Sequence, residues 1–139
     1  MDYCWLAGFI DATGTIGIRL GEKQFQPYIA IFSNRKDRLE ELKVLFPRFS
    51  IPYYISRRTY MSQIVSIQGV YETLDGILPF LRILRNIGEK VLELCRSRLN
   101  HGEYSIRELQ LVREIISLSD YQGSVSKRIE TLEKYLGDR

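Results

Sequence analysis

The hydrophobic period of the sequence changes at Gly14, and this change constrains the fold more than any other feature. Over residues 3–13 the apolar side chains recur at the three- and four-residue spacing of a helix that buries one face. Directly afterwards Ile16 and Ile18 alternate with small or polar residues, which is the period of a half-buried strand. A helix that runs straight into a strand, with a glycine at the junction, indicates an α+β chain.

The remaining periodicities extend this pattern along the 139 residues. We predict strands at 15–24, 28–33, 53–58 and 63–68, a hairpin loop at 21–26, and further helices at 37–46, 70–80, 82–99, 106–118 and 125–136. Asp37 is the expected N-cap of the helix at 37–46, and Ile83 is expected to face inward. The order α-β-β-α-β-β-α followed by more helix predicts one domain, with a core at about 1–100 and a helical extension at about 101–139.

Composition narrows the class of protein. Hydrophobic residues make up 45% of the chain, which excludes a disordered protein, and no apolar run reaches the roughly 18 residues of a membrane span. The single histidine excludes a histidine-rich zinc site. Cys4 and Cys95 are too few for a disulfide framework and are interpreted as small buried hydrophobes in a reducing compartment. Because no secretory signal is visible, we expect an intracellular location (cytoplasm, nucleoid or organelle matrix) and no membrane partner.

Two small residues mark one face of the first helix. Gly8 and Ala12 are four positions apart, so they lie on the same face. Small side chains let two helices approach more closely than the usual distance of about 8–10 Å. Since the sequence contains no internal repeat, the matching helix has to come from another chain. We therefore predict a two-fold symmetric homodimer that meets through Leu6, Gly8, Phe9 and Ala12; the alternative is that the small residues pack inside the monomer.

Residues 6–14 read Leu-Ala-Gly-Phe-Ile-Asp-Ala-Thr-Gly. This segment resembles the LAGLIDADG signature at seven of nine positions, and the element order of residues 1–100 is similar to the core of LAGLIDADG homing endonucleases. The resemblance implies that two motif helices cross at the dimer axis while two antiparallel sheets straddle double-stranded DNA, with outward strand residues in the major groove. The residues then expected to contact DNA are Thr15, Gly17, Arg19, Lys23, Arg35, Lys36, Arg57 and Arg58.

Two of the predicted strands bear differently on this interpretation. The third strand contains Arg57 and Arg58, one of which has to point outward. The second strand is apolar on both faces, as Ala30 and Phe32 alternate with isoleucines, so few groups are left for hydrogen bonds to bases. Contacts with thymine methyl groups and coverage by a second protein surface both remain open.

The same resemblance implies a carboxylate at the eighth motif position of each chain, where the pair holds a divalent ion, usually Mg²⁺. Thr13 stands at that position, and its neutral hydroxyl is a poor substitute for an anionic ligand. Asp11, at the sixth position, points about 200° away from Thr13 around the helix, so its expected role is a structural polar contact, with metal binding as the alternative. The resemblance also implies supporting roles for Asn34, Arg38 and Arg85 in holding water or phosphate.

Three functional hypotheses follow from these residues. The first is a homodimeric DNA-binding protein of the LAGLIDADG type whose cleavage activity is lost or impaired, and Thr13 favours it. The second is a catalytically active endonuclease that cuts DNA at a specific site. It would use Mg²⁺ held by Asp11, backbone carbonyls and the DNA itself. The third is an RNA-binding maturase or ribonucleoprotein component, in which structured RNA or protein covers the apolar second strand.

Overall fold

The computed structural model describes residues 2–20, 25–100 and 104–118, and in these ranges five α-helices accompany a four-stranded antiparallel sheet. The elements are α1 (Tyr3–Thr13), β1 (Gly14–Leu20), β2 (Phe25–Ser33), α2 (Lys36–Leu45), β3 (Tyr53–Ser56), β4 (Thr59–Ile64), α3 (Ile67–Ile77), a 3₁₀ turn (Leu78–Phe80), α4 (Arg85–Asn100) and α5 (Ile106–Leu118). The strand order is β1-β2-β4-β3. The predicted α+β class and element order are confirmed, whereas the helix predicted at 125–136 lies outside the described residues.

The junction between α1 and β1 depends on the absence of a side chain at Gly14. A Cβ there would lie 2.7 Å from the carbonyl oxygen of Ala30 and 3.1 Å from the Cα of Ile10, so a larger residue would force the helix away from the sheet. At the start of α1 the Asp2 carboxylate accepts a hydrogen bond from Trp5 N at 3.0 Å and caps the helix. The start of α1 is therefore specified by a local cap, and its end by a close approach of Gly14 to Ala30 in the neighbouring strand.

One face of the sheet is covered by helices, and the other has no covering helix among the described residues. Ile16, Ile29, Ile31 and Ile64 point toward the helices and share one buried core with apolar residues from all five of the described helices. Strand alternation and register place the neighbouring residues on the opposite side, and none of these belongs to that core. This side, called the open face below, carries Thr15, Gly17, Arg19, Gln26, Tyr28, Ala30, Phe32, Met61 and Gln63.

A polar network fastens α5 to α4 and to the sheet. Ser105 N donates to Glu108 Oε1 at 3.0 Å and Glu108 N donates to Ser105 Oγ at 3.1 Å, which is a complete capping box. The buried Glu108 also pairs with Arg98 at 3.1 Å. The hydroxyl of Tyr104 accepts a hydrogen bond from the N–H of Phe25, the first residue of β2, at 2.6 Å. As far as it is described, the predicted C-terminal extension is part of the common core.

The fourth strand, β4, begins and ends four residues earlier than the predicted range of 63–68. Strand β4 ends at Ile64, and α3 begins at Ile67 instead of 70. The reason is local, because the Ser66 hydroxyl accepts a hydrogen bond from Gly69 N at 3.0 Å and caps the helix.

Strand β2 begins at Phe25, three residues earlier than predicted, and runs through Pro27. Proline has no N–H for a sheet ladder and is tolerated where a strand has a free side. At Pro27 strand β2 pairs only with β1, since its pairing with β4 begins at Ile29.

Two predictions about burial were wrong. Ile83, expected to face inward, is 76% exposed, because α4 begins only at Arg85 and residue 83 lies in the segment before it. Cys95 is buried as expected, whereas Cys4 is exposed on α1. Within the described ranges, none of the helices combines the length and the apolar character needed to cross a membrane.

Candidate nucleic-acid interface

The exposed side of α1 has small residues at its centre. Gly8 and Ala12 are both exposed, and a Cβ added at Gly8 would meet nothing within 4 Å. The chain's own packing therefore does not require a glycine at this position, in contrast to Gly14. Beside the pair, the indole of Trp5 is 41% exposed and lies edge-on to the ring of Phe9, with the ring centres 5.3 Å apart. A second helix would meet little steric hindrance on this face.

Leu6 does not belong to this face, contrary to prediction. It is fully buried in the core together with Ala7 and Ile10. Residues two positions apart on a helix point about 200° apart, so a helix that exposes Gly8 has to bury Leu6. The predicted contact set therefore loses Leu6 and gains Trp5, which sequence reasoning overlooked although it lies one turn before Gly8 and Phe9.

The two motif side chains that carry chemistry are both engaged within the chain. The Thr13 hydroxyl donates to the carbonyl oxygen of Phe9 at 2.9 Å, a bond that helical threonines often make. Asp11 accepts from Arg82 N through Oδ2 at 2.7 Å and from Leu84 N through Oδ1 at 2.9 Å. Asp11 thus ties α1 to the segment that leads into α4, which is a structural role of the expected kind.

These residues do not fit a Mg²⁺ ion. Mg²⁺ is held in proteins mainly by carboxylate and phosphate oxygens in octahedral geometry. Thr13 offers a single neutral oxygen, and Asp11 has both oxygens committed to backbone N–H groups. In the portion of the chain that the structure describes, no three His, Cys, Asp or Glu side chains are grouped so as to hold a metal ion.

The sheet register brings other candidate residues to the same end of the molecule as Thr13. Gly14 pairs with Ile31, so the start of β1 lies beside the end of β2. Asn34 follows directly after β2, and Arg38 lies in the first turn of α2. Both side chains are exposed, and Arg38 forms no ion pair with any described residue. The topology therefore places two polar groups at the end of the sheet where α1 enters it.

Arg35 is bound to a neighbouring carboxylate. Its guanidinium donates two hydrogen bonds to Asp37, at 3.2 and 2.6 Å. The hydrogen bond from Arg35 holds the pKa of the Asp37 carboxyl below its usual value. Asp37 is not the N-cap as predicted, because α2 begins at Lys36 and Asp37 lies in its first turn; the helix start has no side-chain cap.

Two further predicted cations form loose ion pairs along their own helices. Lys36 lies 3.9 Å from Glu40, and Arg85 lies 3.3 Å from Glu89, all four side chains being largely exposed. Exposed pairs of this kind are worth about 0–1 kcal/mol. Both cations can therefore exchange their partner for a phosphate at little cost.

Arg57 and Arg58 lie in the turn between β3 and β4, not in the third strand as predicted. The turn has only these two residues, and both have positive φ, 46° and 63°. Side-chain-bearing residues in this region are strained by roughly 1–2 kcal/mol each. Both arginines are exposed, and neither pairs with a carboxylate of the described residues. Lys23, the other hairpin cation that was predicted, lies outside the described residues.

Three residues of the open face form a stack. Gly17 is buried under the ring of Tyr28, whose Cε1 would lie 3.3 Å from a Cβ at Gly17. The guanidinium carbon of Arg19 lies 4.3 Å from the centre of the same ring. Sequence reasoning named Gly17 and Arg19 but missed Tyr28, although strand alternation puts it on the same face as Ala30 and Phe32. Thr15 also lies on this face and is half-buried.

No protein-family model and no curated protein matches this sequence. Among solved structures, the chain resembles the homing endonuclease I-CvuI in complex with the I-CreI target, with a TM-score of 0.78, 19% identity and 94% of each chain covered. It resembles the homing endonuclease I-TnaI with a TM-score of 0.79 and 14% identity over 95% of this chain and 98% of that one. It also matches the LAGLIDADG meganuclease I-AabMI, bound to uncleaved DNA, with a TM-score of 0.76 and 15% identity over 95% of this chain but 50% of that one. The chain therefore has the fold of the LAGLIDADG homing endonucleases.

Proposed function

We propose that this chain is a homodimeric protein that binds double-stranded DNA through the open face and whose ability to cleave DNA is lost or impaired. The observation that carries the proposal is the state of the motif helix. Its end presents the Thr13 hydroxyl where a carboxylate would be needed, and the nearby Asp11 is consumed in holding Arg82 and Leu84. The scaffold for DNA binding is intact, and the ligand for the metal is missing.

The dimer is supported by the exposed face of α1. Gly8 is exposed, a Cβ there would meet no described atom within 4 Å, and the partly exposed rings of Trp5 and Phe9 lie beside it. The match to I-AabMI also supports a dimer, because this chain aligns with only about half of the length of that protein. Two copies would supply the two halves, related by a two-fold axis that passes near Gly8 and Ala12.

DNA binding is supported by the shape and charge of the sheet. An antiparallel β-ribbon fits the major groove, and the open face is free of covering helices in the described ranges. Cations without carboxylate partners lie on that face and at its hairpin turn, namely Arg19, Arg57 and Arg58. Solved proteins of the same fold hold DNA, among them I-CvuI and I-AabMI.

The loss of cleavage follows from the chemistry of phosphodiester hydrolysis. A metal ion held by carboxylates activates the attacking water and neutralises charge on the phosphate. In a symmetric dimer, one substitution removes the acid from both chains at once. Thr13 would then leave the shared site without a protein carboxylate of its own, and DNA would be bound without efficient hydrolysis.

The proposal is tested by selecting bound sequences from a random duplex pool and then assaying cleavage of the selected site with Mg²⁺ or Mn²⁺. We expect salt-sensitive binding, little cleavage by the natural chain and a gain of cleavage in Thr13→Asp. The matched control is Thr13→Asn, which has nearly the same shape as Asp but no charge, and which should stay inactive. Cleavage by the natural chain at a rate equal to that of Thr13→Asp would disprove the loss of activity. A clear preference for structured RNA over duplex DNA in competition would disprove the substrate.

A further inference from the structure

We propose that Tyr28 is a positioning residue for base recognition. Its ring holds the guanidinium of Arg19 on the open face so that Arg19 can make a bidentate hydrogen bond to a guanine in the major groove. This inference rests on the proposed DNA-binding function and deepens it, because it assigns one base and one supporting residue in each half of the target.

The ring of Tyr28 lies against the position that a side chain of residue 17 would occupy. The backbone of Gly17 does not have the positive φ that would favour glycine. What a side chain would meet instead is Tyr28, whose Cε1, hydroxyl oxygen and Cζ would lie 3.3, 3.4 and 3.5 Å from the added Cβ. The two residues are direct partners in the β1–β2 register. The tyrosine therefore lies across the neighbouring strand and is supported there by backbone.

Arg19 rests on this ring without losing its hydrogen-bond donors. Arg19 pairs directly with Gln26 in the β1–β2 register, so Tyr28 is its diagonal neighbour. Long side chains can bridge this diagonal distance. The guanidinium carbon lies 4.3 Å from the ring centre, well inside the limit of about 6 Å for a cation–π contact. Arg19 pairs with no carboxylate of the described residues. The contact with the ring thus restricts where the guanidinium lies, while no described carboxylate occupies its N–H groups.

This arrangement differs from that of the other predicted DNA contacts. Arg35 donates two hydrogen bonds to Asp37, which occupy N–H groups of its guanidinium, and Lys36 forms a loose pair with Glu40. The turn residues Arg57 and Arg58 have no described partner that fixes their side chains. Among the described residues of the open face, the Arg19 guanidinium combines a ring contact with donors that no carboxylate occupies. A planar fork held in this way matches the O6 and N7 acceptors of guanine, the commonest specific contact of arginine in the major groove.

The test is a binding comparison on the selected target and on duplexes in which each base pair is changed in turn. Arg19→Ala should lower discrimination by roughly 5- to 150-fold at one guanine and at its symmetry mate. Tyr28→Leu should lower discrimination at the same two positions by about two- to fivefold, the worth of an exposed cation–π contact. Tyr28→Phe keeps the ring and should retain the natural preference. Once Arg19 is removed, Tyr28→Leu should have no further effect there.

Tyr54→Leu serves as the matched control, because it removes an exposed tyrosine from the edge strand β3 and should leave base preference unchanged. Should Tyr28→Leu fold poorly, Gly17→Ala pushes the same ring by a few tenths of an ångström and should weaken the same two positions. A Tyr28→Leu protein that weakens binding equally at every position, or not at all, would overturn the inference while leaving DNA binding intact. Absence of salt-sensitive duplex binding in the natural chain would instead overturn the proposed function, and the inference with it.

Discussion

Three glycines between residues 8 and 17 differ in what a side chain would meet at each position. Gly14 is required inside the chain, since a Cβ would collide with the carbonyl oxygen of Ala30. At Gly17 a Cβ would lie 3.3 Å from the ring of Tyr28, which would have to shift by a few tenths of an ångström. Gly8 is required by nothing in the described chain, where a Cβ would meet open space. Of the three, only Gly8 therefore points to a contact outside the monomer.

Arg57 and Arg58 both have positive φ, a conformation in which a type I′ turn favours Asn-Gly. The two arginines therefore lower the stability of the fold, while their charges favour DNA binding. We predict that Arg58→Gly raises the free energy of unfolding by about 1 kcal/mol by relieving backbone strain. The same change should weaken DNA binding, since it removes an exposed cation. Denaturant unfolding and duplex-binding titrations measure the two effects.

The control for this prediction is Arg58→Gln, which removes the charge and keeps a side chain at positive φ. It should weaken DNA binding to the same degree without any gain in stability. If Arg58→Gly stabilises the chain but leaves DNA binding unchanged, the strained arginine has no role at the DNA, and the turn needs another explanation.

At the scale of elements, helix α1 is both a core helix and the expected dimer helix. We predict that Gly8→Leu weakens self-association by at least about tenfold, because a large side chain separates the two helices at their closest point. The fold of the single chain should be unaffected, since Gly8 is exposed and a Cβ there meets no described atom within 4 Å. Sedimentation measures the association, and the emission of Trp5, the only tryptophan, reports burial of this face.

A matched control adds the same leucine elsewhere. Asp75→Leu places an apolar side chain on the exposed side of α3 and should leave self-association and Trp5 emission as they are. A Gly8→Leu protein that sediments as a dimer of natural strength would mean that α1 does not cross its partner at Gly8.

The contact between Tyr104 and strand β2 yields another prediction at this scale. Tyr104→Phe removes the hydroxyl that accepts the Phe25 N–H at 2.6 Å and leaves a donor of a buried residue without a partner. We expect the free energy of unfolding to fall by about 1–3 kcal/mol and the Phe25 amide to exchange its proton faster. Tyr54→Phe, at an exposed position, should change neither. Unchanged exchange at Phe25 in Tyr104→Phe would show that the bond does not hold the hairpin.

Elements set by local residues were predictable, and contacts between distant residues were not. The bounds of α1 and the turn into β1 follow from the period change at Gly14 and were predicted correctly. The partners of Asp11 lie 71 and 73 residues away, so only its structural character was accessible from the helix. The Arg57–Arg58 turn was missed because two arginines resemble strand or helix residues and carry none of the Asn or Gly signals of a tight turn.

At the scale of the whole molecule, the net charge of +3 conceals an uneven distribution. On the helices, several arginines and lysines are paired with acids, as in Arg107–Glu93 and Lys90–Glu114. On the open face and at its turn, Arg19 and Arg58 have no acid within the described ranges. A weakly basic protein can therefore present one strongly basic surface, and overall charge alone did not predict it.

The uneven charge distribution and the two-fold symmetry of the proposed dimer together determine how the DNA-binding constant depends on salt concentration. The logarithm of the binding constant falls linearly with that of the salt concentration, with a slope of about −0.9 for each phosphate neutralised. Because a substitution appears twice in a homodimer, Arg58→Gln should make the slope shallower by about 1.8. Arg107→Gln removes a cation that is bound to Glu93 at 2.9 Å on the helical side, and it should leave the slope unchanged. A change of about 0.9 would mean that a single chain binds, and no change would mean that Arg58 does not contact phosphate.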